Sequence, residues 1–155
     1  MTAADGTSRT TVRFHTLNEA GGNARLRQAC LLTETAFLAG ERVLVWLDDA
    51  AAMARFDDLL WSFGERSFVP HEPLAANPAA SEAPVQLHAG ALPENATTAF
   101  GTLVMLREEA QPAILRFAQV IEVVDAEPSC RNAGRARFRW YREQGVTPQH
   151  VEVTQ

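Results

Sequence analysis

The segment Arg42–Leu47 (RVLVWL) most constrains the fold, because every side chain after its first residue is apolar. Alternating polar and apolar residues would indicate a strand with one face exposed to solvent. A continuous apolar run is instead typical of a strand buried on both faces, as in a parallel sheet covered by helices. The run therefore predicts a central strand of an α/β domain.

Segments with strand and helix patterns alternate along the rest of the chain. Thr11–Leu17 predicts a strand, and apolar residues at helical spacing predict a helix over 24–38 that ends at Gly40. The other predicted elements are a helix from Asp49 to about Trp61, an extended piece at 68–71, strands at 85–88, 102–106 and 120–124, a short helix at 112–118 and a closing helix at 129–144.

This order predicts an α/β fold with a mostly parallel sheet and helices on both faces, which is Rossmann-like but lacks a nucleotide motif. A chain of 155 residues is long enough for one such domain. We expect that domain to span residues 11–155. Residues 1–10 have no apolar core and predict a disordered leader rather than a signal peptide.

The composition excludes several classes of function. The chain contains no lysine, which excludes a Walker A lysine, a Schiff base and a lysine general base. No run of 18 apolar residues is present to span a membrane. Cys30 and Cys130 lie too far apart in sequence to form a metal or redox motif, and a reduced cytoplasmic protein is the default prediction.

Candidate catalytic and nucleotide-binding residues each have a simpler interpretation. Gly21-Gly22 stands where a dinucleotide fold holds a pyrophosphate, but GxGxxG is incomplete and a plain loop is favoured. Asp48-Asp49 ends a strand, as a metal-binding carboxylate would in a nucleotide hydrolase, and a helix cap is favoured. The histidines lack HExxH spacing, and no serine lies in a nucleophile elbow. The sequence therefore predicts no metal, no cofactor and no catalytic activity.

Five of the fourteen arginines lie within residues 131–142, and the remaining nine face nineteen carboxylates, a net charge of −10 outside this stretch. At about 100° per residue, a helix would present most of them on one face. Ala133, Ala136 and Trp140 fall on the opposite side and are predicted to be buried, while Arg137 falls off the stripe. A specific anionic partner is one interpretation, and a solvated face with the aromatic ring on the core is the other. The residues that share the stripe are Arg131, Arg135, Phe138, Arg139 and Arg142.

A second cluster of large apolar residues surrounds the turn at Gly64–Arg66. A short loop cannot easily bury so many large side chains, so an exposed patch at a protein interface is one interpretation. A small core under the sheet edge is the other. The cluster consists of Trp61, Phe63, Phe68, Val69 and Pro70.

These residues also carry a family resemblance. Leu60-Trp61 followed by Ser67–His71 (SFVPH) resembles the chi-subunit family of bacterial DNA polymerase III, and so does the ending Arg137–Gly145 (RFRWYREQG). Gly40–Leu44 and Val123–Asp125 are similar to that family as well. Phe138 stands where a tyrosine is commoner, which keeps the ring and removes a hydroxyl. The resemblance covers about residues 11–146.

The resemblance implies a non-catalytic accessory subunit of the clamp-loader assembly in DNA replication. Its implied partners are the acidic C-terminal tail of single-stranded DNA-binding protein, the psi subunit and, in some members, a helicase-like repair protein that uses the psi-facing surface. Arg135 and Phe138 match the tail site, with Arg131 a weaker match, and the rest of the stripe supplies a longer-range field. The implied psi-side residues are Trp61, Phe68, Val69 and Pro70.

Two rival functions remain open. The first is direct binding of single-stranded DNA, with Arg139, Arg142, Trp140 and Tyr141 as a stacking platform. The net charge of −5 argues against it. The second is a degenerate nucleotide hydrolase on a similar scaffold, against which the absence of lysine weighs.

Overall fold

The computed structural model describes residues 10–21, 23–64 and 68–153. Most of the predicted leader therefore lies outside the described residues. So do Gly22 of the predicted glycine pair and Glu65–Ser67 of the aromatic segment.

Eleven elements follow one another in the described residues, and strands and helices alternate through most of the chain. Two short 3₁₀ turns, Pro78–Ala80 and Pro112–Arg116, interrupt the connections. The elements are β1 (Thr11–Thr16), α1 (Ala24–Leu38), β2 (Val43–Leu47), α2 (Ala50–Ser62), β3 (His71–Pro73), β4 (Val85–Ala89), α3 (Ala96–Ala99), β5 (Thr102–Met105), β6 (Gln119–Val124), α4 (Pro128–Glu143) and β7 (Gln149–Glu152).

The strands form one sheet in the order β3-β4-β2-β5-β6-β1-β7. All six strand pairings are parallel. All five residues of β2 are buried, as its continuous apolar sequence predicts. The predicted α/β fold is confirmed, and the sheet is parallel throughout.

Each face of the sheet has its own apolar core. On one face, α1 and α2 pack through residues such as Cys30, Phe56 and Leu60. On the other face, α4, α3 and the turn Pro112–Arg116 cover Trp46 and Phe117. The predicted helices on both faces are thus present, and α2 and α4 lie on opposite sides of the sheet.

Local signals set the ends of the helices. The Asp49 carboxylate accepts a hydrogen bond from the Ala52 backbone N–H at 2.8 Å, which confirms the predicted cap. Gly145 follows α4 with a φ of 85° and donates its N–H to the Arg142 carbonyl at 3.0 Å. Glycine adopts this left-handed conformation at low cost, so α4 ends here as predicted.

Three predicted elements were wrong in detail. The helix expected at 112–118 is a 3₁₀ turn, because the chain becomes extended at Phe117 to bury its ring. The extended piece expected at 68–71 joins the sheet only at its last residue, because β3 runs from His71 to Pro73. The closing helix does not close the fold, because β7 follows it and pairs with β1. β7 is short and mostly exposed, and Val151 is its one apolar residue, which is too little to indicate a strand.

The predicted buried face of α4 was also wrong. Ala136 is exposed, and Ala133 and Trp140 are half-buried. The buried residues of α4 are instead Gly134, Arg137 and Tyr141. The core side is therefore rotated by about 90° from the expected one, and it includes Arg137.

Candidate functional site

A cavity of about 330 Å³ opens between α4 and the carboxyl ends of β1, β6 and β7. It brings three residues of the predicted stripe together with residues from three strands. We call it the α4 cavity. It is lined by Phe14, Thr16, Asn18, Val124, Arg131, Gly134, Arg135, Phe138, His150 and Glu152.

The apolar part of the α4 cavity rests on a pair of phenylalanines. Phe14 is buried at 3% exposure, and its ring centroid lies 5.3 Å from that of Phe138 at an angle of 52°. Phe138 is only half-buried, so part of its ring faces the cavity. The Phe138 ring therefore packs on the core and also lines an open slot.

A glycine lets α4 approach the sheet closely at this place. A Cβ added to Gly134 would lie 2.9 Å from Cγ2 of Val124 on β6. Both residues line the cavity. The close approach of helix and strand thus sets the depth of the slot.

The two arginines of the cavity have different roles. Arg131 donates to the carbonyl oxygens of Asp125 at 3.3 Å and of Leu17 at 3.2 Å, so it ties the ends of β6 and β1 together. Arg135 is exposed and makes one side-chain contact, from Nη1 to Oδ1 of Asn132 at 3.2 Å. In the described part of the chain, neither arginine pairs with a carboxylate. Arg135 therefore keeps most of its donors available to a ligand.

Arg139 and Arg142 are exposed on α4 but do not line the cavity. They belong to the same basic surface without entering the slot. Their charges act on a bound anion only at longer range, where salt screens them.

The edge strand β7 supplies a wall of the cavity that sequence reasoning missed. Nε2 of His150 lies 2.7 Å from Oγ1 of Thr16 on β1, which joins the two strands at the cavity. Glu152, the last residue of β7, places a carboxylate at the same edge. The signal in the sequence was the short alternation of Val151 and Val153 with polar residues, which is too weak to indicate a strand.

An aromatic patch lies at the other edge of the sheet. Trp61 and Phe68 are 49% and 64% exposed, and their ring centroids lie 5.7 Å apart. Pro70 is half-buried beside them. Val69 was expected at this surface but is fully buried in the core under α2, so it anchors the segment rather than facing a partner. We define the aromatic patch as Trp61, Phe68 and Pro70.

The aromatic patch and the α4 cavity are far apart. β3 and β7 are the two edges of a seven-stranded sheet. At about 4.8 Å per strand, these edges lie on the order of 30 Å apart. α2 and α4 also cover opposite faces. The two surfaces are therefore separate features of the molecule.

The other predicted candidates serve the structure. Asp48 accepts a hydrogen bond from the Glu108 backbone N–H at 3.1 Å and lies 3.8 Å from Nε of Arg107. Its neighbour Asp49 caps α2. Over residues 10–21, 23–64 and 68–153, no group of three or more potential metal ligands comes together. In the same ranges, no helix is long and apolar enough to cross a bilayer.

The chain is similar to known proteins over most of its length. The profile of the family described as "DNA polymerase III chi subunit, HolC" matches residues 10–149. The protein named DNA polymerase III subunit chi of Pseudomonas aeruginosa is 40% identical over 136 residues, which cover 88% of this chain and 92% of that protein. The protein of the same name from Escherichia coli K12 is 30% identical over 117 residues, or 75% of this chain and 77% of that one.

Proposed function

Because the chain belongs to the DNA polymerase III chi-subunit family, we propose that it is a non-catalytic adaptor of the clamp-loader assembly. The α4 cavity binds the acidic C-terminal tail of single-stranded DNA-binding protein, and the aromatic patch binds the psi subunit. A helicase-like repair protein can use the same patch. In this proposal the protein uses no cofactor, meets nucleic acid only indirectly, and acts in the cytoplasm without membrane attachment.

The observation that carries the tail assignment is a free guanidinium beside an aromatic slot. A tail that ends in phenylalanine presents one apolar ring and one terminal carboxylate. The Phe138 ring offers an apolar wall, and Arg135 offers donors that no carboxylate of the described residues occupies. Arginine grips a carboxylate through two parallel N–H···O bonds, so the pair fits the two ends of the ligand. This mode of recognition is capture of a C-terminus.

The other arginines contribute in graded ways. The Arg131 guanidinium is held by two backbone carbonyls. It therefore contributes a fixed positive charge, and fewer of its N–H groups are available to bind a carboxylate. Arg139 and Arg142 attract the aspartates of the tail through the solvent. Exposed pairs of this kind are worth about 0–1 kcal/mol each and weaken with salt.

The psi assignment is supported by exposed aromatic surface. Trp61 and Phe68 are two of the large hydrophobic residues that the described structure leaves exposed. Tryptophan and phenylalanine are enriched at the centres of protein interfaces, where their burial contributes strongly to affinity. The patch is compact because the two rings are in contact.

The rival functions find less support. Tyr141 is fully buried, and its hydroxyl donates to Glu122 at 2.8 Å, so it cannot stack on a nucleotide base. Trp140 is half-buried with its ring 5.3 Å from that of Tyr141. A stacking platform on this helix therefore loses Tyr141 and keeps only the half-buried Trp140. A nucleotide hydrolase is not favoured either, because Asp48 and Asp49 are committed to backbone contacts.

A peptide titration tests the tail assignment. A labelled acidic peptide ending in Pro-Phe is titrated with the unmodified protein, with Arg135→Ala and with the matched control Arg139→Ala. Loss of a charge-assisted pair costs about 1.5–3 kcal/mol, so Arg135→Ala should weaken binding about 10- to 150-fold. Arg139→Ala should change it only slightly, and mainly at low salt. Equal losses in the two variants would show a diffuse basic surface instead of a pocket.

A further inference from the structure

His71 lies at the centre of the aromatic patch, although it is not part of the exposed surface. Its side chain is completely buried. Nε2 lies 2.9 Å from Oδ1 of Asp57 on α2, and Nδ1 lies 2.7 Å from the carbonyl oxygen of Val69. The imidazole ring also packs on Trp61, with 4.3 Å between centroids. Both ring nitrogens and one ring face are therefore in contact with the segments that carry the patch.

Both hydrogen-bonding neighbours of His71 are acceptors. A backbone carbonyl has no proton to donate, and neither has the Asp57 carboxylate. A neutral imidazole carries one N–H and one acceptor nitrogen, so it can satisfy only one of the two contacts. The imidazolium carries two N–H groups and satisfies both. The contacts at 2.7 and 2.9 Å are thus both satisfied as hydrogen bonds only by the protonated ring.

We infer that His71 is a positioning residue that, as an imidazolium, holds Trp61 and Phe68 in the arrangement that docks a partner, so that docking weakens as the ring loses its proton. The inference deepens the proposed function, since it takes the aromatic patch as the partner-binding surface. No other part of the proposed function enters it.

The contacts of His71 explain how it would position the patch. Asp57 and Trp61 are one helical turn apart on α2, and the ring touches both of them. Val69 lies between Phe68 and Pro70 in the sequence. A hydrogen bond to its carbonyl oxygen therefore holds the backbone next to Phe68 and orients that side chain. A cation against an indole face is attracted electrostatically as well. Loss of the proton removes one hydrogen bond and this attraction together.

The charged surroundings of the ring are simple among the described residues. Asp57 is the ionisable group in contact with it. Glu72, next on β3, points to the opposite side of the strand, where it accepts a hydrogen bond from Ser81. On β4, His71 is in register with Val85. Arg55 and Asp58 of α2 are exposed to solvent. Among the described residues, Asp57 is therefore the charged group that faces the ring.

Nuclear magnetic resonance tests the inference without any partner. In protein labelled with ¹⁵N at histidine, we expect both ring nitrogens of His71 to be protonated on the acidic side of its titration. The indole N–H signal of Trp61 should shift over the same pH range. A single neutral tautomer throughout, from about pH 5.5 to about pH 8, would overturn the inference. So would a titration of His71 that leaves the Trp61 signal unmoved.

Binding of the psi subunit supplies the functional readout. The affinity of the unmodified protein for psi should fall about three- to tenfold as the pH rises over this range, because one of the two hydrogen bonds of the His71 ring is lost. His71→Gln, which supplies one donor and does not titrate, should bind more weakly and show no such fall. The control His88→Gln should keep the normal profile, because His88 bonds the Ala91 carbonyl on another loop.

The outcomes separate this inference from the proposed function. If psi binds equally well at all pH values, or if His71→Gln keeps the pH profile, the role of His71 is wrong. If psi does not bind at all, the proposed psi assignment fails. The magnetic resonance signals of His71 and Trp61 then still decide whether the His71 ring positions Trp61.

Discussion

Glu122 and Arg137 form an ion pair inside the core, between the centre of the sheet and α4. Nε of Arg137 lies 2.9 and 3.1 Å from the two carboxylate oxygens, and the residues are 0% and 3% exposed. The Tyr141 hydroxyl donates to the same carboxylate, and Nη1 of Arg137 donates to the Glu108 carbonyl. Burial raises the pKa of Glu122, against the opposing effects of the Arg137 charge and the hydrogen bonds. The pair fixes which face of α4 meets the sheet.

The first prediction concerns this pair. Glu122→Gln should destabilise the protein by about 3–5 kcal/mol, because it leaves the Arg137 charge buried without a counter-charge. The double variant Glu122→Leu/Arg137→Met should recover much of that loss, although the Tyr141 hydroxyl then lacks its acceptor. Urea unfolding of Glu122→Leu, Arg137→Met and the double variant measures the coupling free energy between the two side chains. Additive losses would show that the two side chains do not act as a pair.

The ion pair also shows why the core side of α4 could not be predicted from its own sequence. Arginines were expected outside and Ala133, Ala136 and Trp140 inside, which is the usual partition. Burial of Arg137 becomes favourable only because the Glu122 carboxylate lies opposite it on β6. The single carboxylate in the apolar strand Gln119–Val124 was the available signal, and it identifies Arg137 only once the register of helix and sheet is known.

The other elements also differ in whether their own sequence predicts them. β2 was predictable because burial on both faces demands an unbroken apolar run, and α1 because its apolar spacing is helical. β7 was not predictable, because a mostly exposed edge strand with one apolar residue, Val151, gives no clear pattern. Arg131, Arg135 and Phe138 of the cavity were found from helical spacing, whereas His150 and Glu152 arrive through strand pairing alone.

The second prediction concerns Gly134. Gly134→Ala puts a methyl group 2.9 Å from Cγ2 of Val124, so helix and strand must separate. Overpacking of this kind costs about 1–3 kcal/mol, and the higher helix propensity of alanine returns about 1 kcal/mol. We expect a net loss of stability and weaker binding of the acidic peptide. The control Ala136→Gly should also lose about 1 kcal/mol, by propensity, yet bind the peptide normally.

The third prediction is that the aromatic patch and the α4 cavity are energetically independent. Phe68→Ala should weaken psi binding at least tenfold and leave tail-peptide affinity within about twofold, because distant sites without shared partners behave additively. Leu38→Ala, which removes another exposed apolar side chain, is the matched control and should affect neither. Loss of both activities in Phe68→Ala, together with a lower melting temperature, would identify Phe68 as a structural residue instead.

The fourth prediction concerns stability in mild acid. Burial, and secondly the nearby Arg13 charge, lower the pKa of His15 from its ordinary value of 6.5. Below that value the unfolded chain binds a proton at His15 more readily than the folded protein does. The free energy of unfolding therefore falls as the pH falls. Unfolding free energies measured at about pH 5.5 and pH 7.5 should differ less in His15→Gln than in the unmodified protein. His88→Gln should retain the full difference, and an unchanged difference in His15→Gln would refute the assignment.

The last prediction is that tail binding depends on the free terminal carboxylate more than on the number of aspartates. Arg135 is planar, permanently charged and free of a carboxylate partner among the described residues, so the terminal carboxylate is the group that it can bind through two bonds. Aspartates meet the exposed Arg139 and Arg142, where each pair is worth about 0–1 kcal/mol.

An amidated peptide should therefore bind about tenfold or more weakly than the free acid, even at moderate salt. A peptide in which one aspartate is replaced by asparagine should lose only a small factor, which shrinks further as salt is added. Arg135→Ala should bind the free acid and the amide almost equally, because its partner for the carboxylate is gone. If amidation has no effect on the unmodified protein while aspartate removal does, the binding is diffuse electrostatic attraction and the slot beside Phe138 does not hold the tail.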